Sequence, residues 1–397
     1  MVAAAKGIST LGNIAFSTGV VWIFVDEYGD VRTAGLMLAV SGFVAIVLAP
    51  GVGALLDRER GVMLIPVADY SAFAIILAVV LAGAAHSVAG LWVAMLATSV
   101  GGTVHGPGLQ MLISRLVPDE QRRNANAKVH TAVRIAMIAG PLVGGAMVAI
   151  SGRAGLLVFD SATFLVSGVT ITLICCAMRI QEDVNEKAVS SSTSFVASVR
   201  FMFANRVVRW VLILGASVNM LTSVLAILLP ALAQRISHSG ITYGVMYSVY
   251  QCGMLSVAIV LSSERTSKFM TGEESKVVSG ALALFAAGFL GAISSDSMWV
   301  LGVSVFAIGA GLSVTSLFAD TRLLTSVPRE MQGRVFAISG SILAGLRPAG
   351  NAVGGLLVGI STVLVGMIAA VTAAGCAVAM AIGKPLDTPQ EARGARR

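Results

Sequence analysis

The stretch VPDEQRRNANAKVHTAVRIAMIAGPLVGG, Val117 to Gly145, holds a charged turn, an apolar segment carrying Arg134, and the run Gly140-Pro141-Leu142-Val143-Gly144-Gly145. A related stretch stands near the other end of the chain. Val117-Pro118-Asp119-Glu120 corresponds to Val327-Pro328-Arg329-Glu330, and Val143-Gly144-Gly145 corresponds to Val353-Gly354-Gly355. Both matches fall at one and the same offset, without a gap. Matches held in register over that distance point to a chain built of two similar halves.

Composition places those halves in a membrane. The chain is 56% hydrophobic and 12% charged, where an ordinary soluble domain is about 25% charged. Apolar runs of about 20 residues recur from end to end, each long enough to cross a bilayer as a helix. Unpaired backbone groups are costly in hydrocarbon, so the spans are read as helices, and abundant Gly and Ala suit close contacts between them. The formal charge of +7 lies in short loops rather than in a basic folded segment, which argues against nucleic acid as a partner. Cys175, Cys176, Cys252 and Cys376 fall in apolar runs without metal-ligand spacing, so neither a disulfide framework nor a metal site is expected. No glycine-rich run ends in Gly-Lys-Ser or Gly-Lys-Thr, which excludes ATP binding by a phosphate loop on this chain. Two similar halves in a membrane chain are the usual build of a secondary transporter.

The expected fold is an all-α membrane protein of twelve transmembrane helices in two six-helix halves. Residues 1–178 form the first bundle, 179–207 a cytoplasmic linker, and 208–397 the second bundle. The first six spans run about Leu11–Val25, Thr33–Leu56, Met63–Ala84, Leu91–Ile113, Ala125–Ile150 and Ala154–Met178. The next five run about Trp210–Leu232, Tyr243–Leu261, Val277–Ile293, Trp299–Phe318 and Val335–Gly359, and the last ends near Ile382. The N-terminal MVAAAKGISTLGN reads as the start of the first span rather than a removed signal. In span 4 the Gly101-Gly102 pair and His105-Gly106-Pro107-Gly108 are expected to loosen or kink the helix. With both termini cytoplasmic, the inner breaks hold Arg58, Arg60, Arg115, Arg122, Arg123 and Lys128, and in the second half Arg265, Lys268, Lys276, Arg322, Arg329 and Arg334. The outer breaks hold only Arg32, Arg153 and Arg235. That asymmetry satisfies the positive-inside rule.

The chain resembles the major facilitator superfamily over nearly its whole length, and within it the bacterial efflux branch that includes macrolide and enterobactin-type siderophore exporters. Gly53-Ala54-Leu55-Leu56-Asp57-Arg58 is similar to the first part of the family's cytoplasmic gating motif. Gly140-Pro141-Leu142-Val143-Gly144-Gly145 is similar to the signature of substrate-exporting exchangers, and Phe159-Asp160-Ser161-Ala162-Thr163-Phe164 to the efflux branch. Gly333-Arg334-Val335 resembles the turn before span 11. The gating motif departs from the pattern: Glu59-Arg60-Gly61 runs one residue short and leaves Arg58 and Arg60 as its basic members. The resemblance implies a cytoplasmic gate at Gly53, Asp57, Arg58 and Arg60. It also implies that the span 5 seam seals the periplasmic side. The location implied is the bacterial cytoplasmic membrane.

Physical reading of the residues runs alongside. A carboxylate such as Asp57 suits a neighbouring helix N-terminus. Gly140, Gly144 and Gly145 carry no side chain to hold a partner helix away, and Pro141 sets a bend beside them; Gly350, Gly354 and Gly355 are the corresponding seam of the second half. Ionisable groups within spans are costly and therefore candidates for function. Arg134 and Arg347, well inside spans 5 and 11, favour an anionic or zwitterionic substrate in a central cavity. Asp69, Asp160 and Asp320 lie nearer helix ends, where caps and interfacial pairs compete with a coupling role. Asn219 is a further candidate for the cavity, with Trp22, Gln110 and Tyr250 among possible lining residues. His105 is a candidate for binding the coupling proton. Three readings stay open: a proton-antiporting exporter of a small amphipathic or siderophore-like molecule, a proton-coupled nutrient importer, and a non-transporting membrane scaffold or lipid-handling protein. The partners expected are a small-molecule substrate, protons and membrane lipids. The chain is expected to act as a monomer, without cofactor and without enzymatic activity.

Overall fold

A chain surrounded by hydrocarbon must close its backbone hydrogen bonds within each segment, and every element described is helical. A computed structural model describes residues 2–56, 58, 61–177, 195–261, 273–328 and 331–383. The helices are α1 (Val2–Asp26), α2 (Val31–Leu56), α3 (Leu64–Leu81), α4 (Val88–Leu116), α5 (Asp119–Ala177) and the short α6 (Phe195–Ala204). They continue with α7 (Arg206–Ile236), α8 (Gly240–Leu261), α9 (Glu274–Ile293), α10 (Met298–Ser326), α11 (Gln332–Val358) and α12 (Thr362–Gly383).

Ten of these helices are long and apolar enough to cross a membrane. The longest, α5, supplies two crossings because Gly152 interrupts it at φ 64°, ψ −162°. Only glycine reaches that backbone region without strain, so a single residue turns the chain between α5a, before it, and α5b, after it. Among the remaining two, α11 has 27 residues, enough to span, with Arg347, Asn351 and its glycines diluting its hydropathy. With α11 the crossings among the described residues number twelve. The remaining helix, α6, has 10 residues and is too short to cross; it buries Ser198 and Met202 and packs on α11.

Several segments differ from the sequence reading. The first helix begins at Val2, not near Leu11, so Lys6 lies inside it. Helical structure runs through the glycine-proline cluster of α4 without a break. Its glycines serve contact instead: a β-carbon on Gly101 would lie 3.0 Å from the Phe164 ring, and one on Gly108 2.6 Å from Ile65. The boundary after Gly359, by contrast, falls where the sequence places it, α12 starting at Thr362. Residue 178 and residues 179–194 of the linker lie outside the described residues, as do Asp57, Glu59, Arg60, Arg265, Lys268, Arg329 and Glu330.

By compactness the chain forms two units, Met1–Lys187 with Leu229–Ser248, and Ala188–Leu228 with Val249–Arg397. In the first, α5 packs along α1 and α3, and α4 along α2 and α3. A buried cluster of Ala5, Leu56, Val62, Ile65, Leu112, Val129 and Ile171 fills one end of this bundle. At the other end Arg153, just past Gly152, donates to Glu27, to the Tyr28 hydroxyl and, at 2.9 Å, to the His86 carbonyl. One guanidinium thereby ties together three breaks between helices. In the second unit α9 packs on α10 and α12. Arg322 pairs with Glu274, Ser279 donates to the Ala377 carbonyl at 2.7 Å, and Arg206 to the Gly383 carbonyl at 3.0 Å.

Asp30 caps α2, its carboxylate accepting from the Thr33 amide at 3.0 Å and from the Thr33 hydroxyl. The Thr33 hydroxyl bond, ahead of burial, holds the Asp30 carboxyl below its ordinary range. A depressed carboxyl stabilises the fold above its unfolded value, about 3.9, and loses that effect as pH falls through its lower folded value. Replacing Asp30 by Ala should therefore lower the unfolding free energy of the purified protein by about 1 kcal/mol at neutral pH. The difference should vanish in acid; thermal melts of both proteins across pH measure it.

Candidate functional site

Two constructions in the first unit place chemistry-bearing or tightly packed groups inside the bundle. The first is a seam of backbones. A β-carbon on Gly140 would lie 2.7 Å from the Ile14 side chain, and one on Gly144 would overlap the Ala15 carbonyl oxygen. On its other side α5a meets the turn and start of α8: a β-carbon on Gly145 would overlap the Gly240 carbonyl oxygen, and one on Gly244 that of Pro141. Ser248 donates to the Ile138 carbonyl at 2.6 Å along the same line. Trp22 of α1 stacks on Tyr243, ring centroids 5.9 Å apart, and both are buried. Gln234 and His238, at the end of α7 and just beyond it, bond Asp26 at the end of α1, at 3.3 and 3.0 Å. Helices α1, α5a and the α7–α8 tip are thus held at backbone distance, where van der Waals contact in lipid is strongest.

The second unit repeats the motif. There a β-carbon on Gly350 would lie 2.7 Å from the Ser223 side chain, and one on Gly354 3.3 Å from the Val224 Cα. So α11 meets α7 as α5a meets α1, at corresponding positions but with a looser fit at Gly354. Gly355 is buried beside them.

The second construction is polar. Thr98 of α4 donates to the Asp160 carboxylate of α5b at 2.9 Å. Two helical turns further along both helices, about 10 Å, His105 Nε2 lies 2.9 Å from the Ser167 Oγ. Ser167 in turn donates to Asp69 Oδ2 of α3 at 2.7 Å. Gly168 permits this: its absent β-carbon would lie 3.2 Å from the Asp69 Cβ. Asp69, His105, Asp160 and Ser167 are at most 1% exposed. Among the described residues Asp69 Oδ1, His105 Nδ1 and Asp160 Oδ1 have no hydrogen-bond partner. An unpaired buried polar atom costs about 1–3 kcal/mol, and three in one ladder call for an explanation beyond packing.

The other sequence candidates fall elsewhere. Of the two roles open to Asp69 and Asp160, they do not cap helix ends but are sealed between α3, α4 and α5b. Asp320, by contrast, is exposed on α10. Arg134 and Arg347 are exposed mid-helix, while Ala136, Gly140, Pro348 and Gly350 on the same two helices are buried. Asn219 donates to the Gly215 carbonyl of its own helix at 2.9 Å. Trp22 and Tyr250 are buried, the Trp22 ring lying where a β-carbon on Gly240 would come within 3.2 Å of it. At the gating motif Gly53 has open space where a β-carbon would go and Arg58 is exposed, while Asp57 and Arg60 lie outside the described residues. The partners Thr98 and Ser167 were missed in the sequence. Their signal was present: Thr98 to His105 and Asp160 to Ser167 share one spacing, in two spans that run in the same direction.

Residues 2–345 match the Major Facilitator Superfamily. The chain belongs to that superfamily. It is therefore a multi-pass membrane transporter by family, not an enzyme. The enterobactin exporter EntS of Escherichia coli O127:H6 is 27% identical over 262 residues, covering 66% of this chain and 59% of that protein. The protein of the same name from Shigella dysenteriae serotype 1 matches equally, so the chain spans 59% of the length of the curated relatives it matches. Superfamily architecture is matched in solved structures too. A bacterial homologue of the human lysosomal transporter Spinster aligns with a TM-score of 0.69 at 15% identity, over 98% of both chains. The nucleoside transporter NupG aligns with a TM-score of 0.67 at 15% identity, over 96% of this chain and 98% of its own.

The two superfamily seams differ in how they should tolerate a methyl group. Gly144→Ala sets a β-carbon against rigid main chain at Ala15, whereas Gly354→Ala meets Val224 at 3.3 Å, where a small shift suffices. Overpacking costs typically about 1–3 kcal/mol, so G144A should lower the melting temperature of the purified protein clearly more than G354A. Gly53→Ala, with open space around it, should leave it unchanged.

Proposed function

We propose that this chain is a secondary active exporter of a small amphipathic or siderophore-like molecule, working by alternating access and driven by proton antiport. It sits in the bacterial cytoplasmic membrane with both termini inside, the orientation that its Lys and Arg distribution favours. The observation that carries the reading is the α5a seam. Gly140 and Gly144 lie against α1, and Pro141 and Gly145 lie against the tip of the α7–α8 hairpin. In the topology proposed, that tip is periplasmic, and a backbone-tight seam there keeps the outer face shut until the cargo is loaded from inside. The similarity to the enterobactin exporter EntS supports export and a siderophore-like cargo. The Asp57, Arg58 and Arg60 turn serves as the opposing, cytoplasmic gate.

Arg347 supports an anionic cargo. Arg347 is exposed on α11 while Pro348, Gly350 and Gly354 are buried, so its guanidinium emerges at the margin of the seam, about one turn before Gly350. A guanidinium held mid-span against lipid is costly, which favours an aqueous path as its surroundings. Its planar fork suits carboxylate or catecholate better than the point charge of a lysine. Arg134 on α5a is likewise exposed on a helix whose seam residues Gly140 and Gly144 are buried.

Transport tests the function directly. In everted membrane vesicles containing the chain, enterobactin should accumulate when the lumen is acidified, and collapsing the pH gradient should abolish the accumulation. Uptake by intact cells instead would make the protein an importer, and no flux of enterobactin or other amphipathic anions would leave a scaffold. Arg347→Ala should nearly abolish accumulation while the purified protein keeps its melting temperature, and Arg347→Lys should retain part of it. An R347A protein that binds enterobactin normally would remove Arg347 from the cargo path.

A further inference from the structure

We propose that Asp69, Ser167 and His105 form the site that binds the coupling proton, a built relay inside the first unit rather than a lone acid. The proposal rests on the proton-antiport reading and adds the place where the proton is held. Hydrogen-bond geometry assigns the tautomer. Ser167 spends its hydroxyl hydrogen on Asp69 Oδ2, 2.7 Å away, so its oxygen can only accept from His105 Nε2 at 2.9 Å. His105 therefore carries its hydrogen on Nε2 and a free lone pair on Nδ1, the atom that has no partner among the described residues. Nδ1 is a vacant base, and Asp69 Oδ1 a vacant acceptor, at the two ends of one chain of hydrogen bonds.

A proton arriving at His105 Nδ1 gives an imidazolium 3.5 Å from the Asp69 carboxylate. The Nε2 proton then passes to Ser167 as the Ser167 hydroxyl proton passes to Asp69 Oδ2. The outcome is a neutral imidazole protonated on Nδ1 and a neutral carboxylic acid. One proton has entered, one can leave from Asp69, and no atom moves beyond hydrogen-bond reach. In the deprotonated state the site bears one negative charge, and in the loaded state none, so its loading changes the charge buried between α3, α4 and α5b. That is the change an alternating-access protein needs to couple proton occupancy to packing.

The charged and titratable surroundings are few. Lys6 of α1 acts electrostatically on Asp69. Tyr70, next to Asp69 on α3, is engaged with Thr172 at 3.1 Å. Asp160, two turns away on α5b, is bonded to Thr98. Helix α2, which packs on α4, bears a single charge, Arg32 near its start.

The test uses the full chain in detergent micelles with His86, His130 and His238 each replaced by Gln, leaving His105 as the sole imidazole for nitrogen-15 NMR. Its ring-nitrogen shifts should start from the tautomer with hydrogen on Nε2 and change as the site takes up a proton. In Asp69→Asn its proton affinity should fall about tenfold or more, because the neighbouring negative charge is gone. Ser167→Ala should alter the titration while both end groups remain, and it decides the matter should D69N fail to accumulate folded. In everted vesicles D69N should still pass enterobactin down its own gradient, but a pH gradient should no longer accelerate it. A His105 that never titrates, or a midpoint unmoved by D69N and S167A, overturns the site. So does a D69N protein still driven by the pH gradient. Should the unmodified chain move no enterobactin, the proposed cargo fails, while the titration still decides whether this site binds the proton.

Discussion

Gly144 meets α1 at the Ala15 carbonyl with no room for a β-carbon, and the first unit depends on that approach. Lipid tails solvate an apolar side chain about as well as another helix does, so burying apolar surface does little to hold spans together. Backbone-to-backbone contact does more, because many atom pairs come within van der Waals range at once. The same glycine-rich line that admits α1 also admits the start of α8, through Gly145 and Gly244. A single helix thereby touches two others at main-chain distance, and Trp22 on Tyr243 fills the space beside them.

That economy of side chains also brings polar groups together. Where Gly168 lets α3 close on α5b, Asp69 is brought to Ser167, and where α4 lies parallel to α5b, Thr98 and His105 fall opposite Asp160 and Ser167. Hydrocarbon offers these groups no water, so they satisfy one another and leave a small number of atoms unpaired. A transporter can use such a ladder because its cost depends on protonation. Purely structural polar pairs elsewhere are of another kind. The Arg153 tie to Glu27, Tyr28 and the His86 carbonyl, and the Arg322 pair with Glu274, join helix ends rather than line a seam.

Much of the fold was legible because it rests on one-dimensional signals. Hydrophobic length marks crossings, and the recurrence of Val143-Gly144-Gly145 as Val353-Gly354-Gly355 marks the repeat. Even the turn at Gly152 follows from the Ser-Gly-Arg break between two apolar runs. Local propensity says less. It marks the glycines and proline of α4 as places where the helix loosens, and does not say that Gly101 and Gly108 are contact residues of a continuous helix. Acids near helix ends look like caps, which fits Asp30 on α2 but not Asp69 or Asp160.

That the chain is helical, crosses a membrane many times and is built twice over can be read from residue order, since these follow from hydropathy, length and repetition. Which of its sparse polar residues meet depends on how the helices pack. Helical phase says that Asp160 and Ser167 share a face, and that Thr98 and His105 share one. It does not say that the two faces oppose each other, or that Asp69 completes the row. Those facts depend on the rotation and separation of three helices, which are set by where each lacks a side chain.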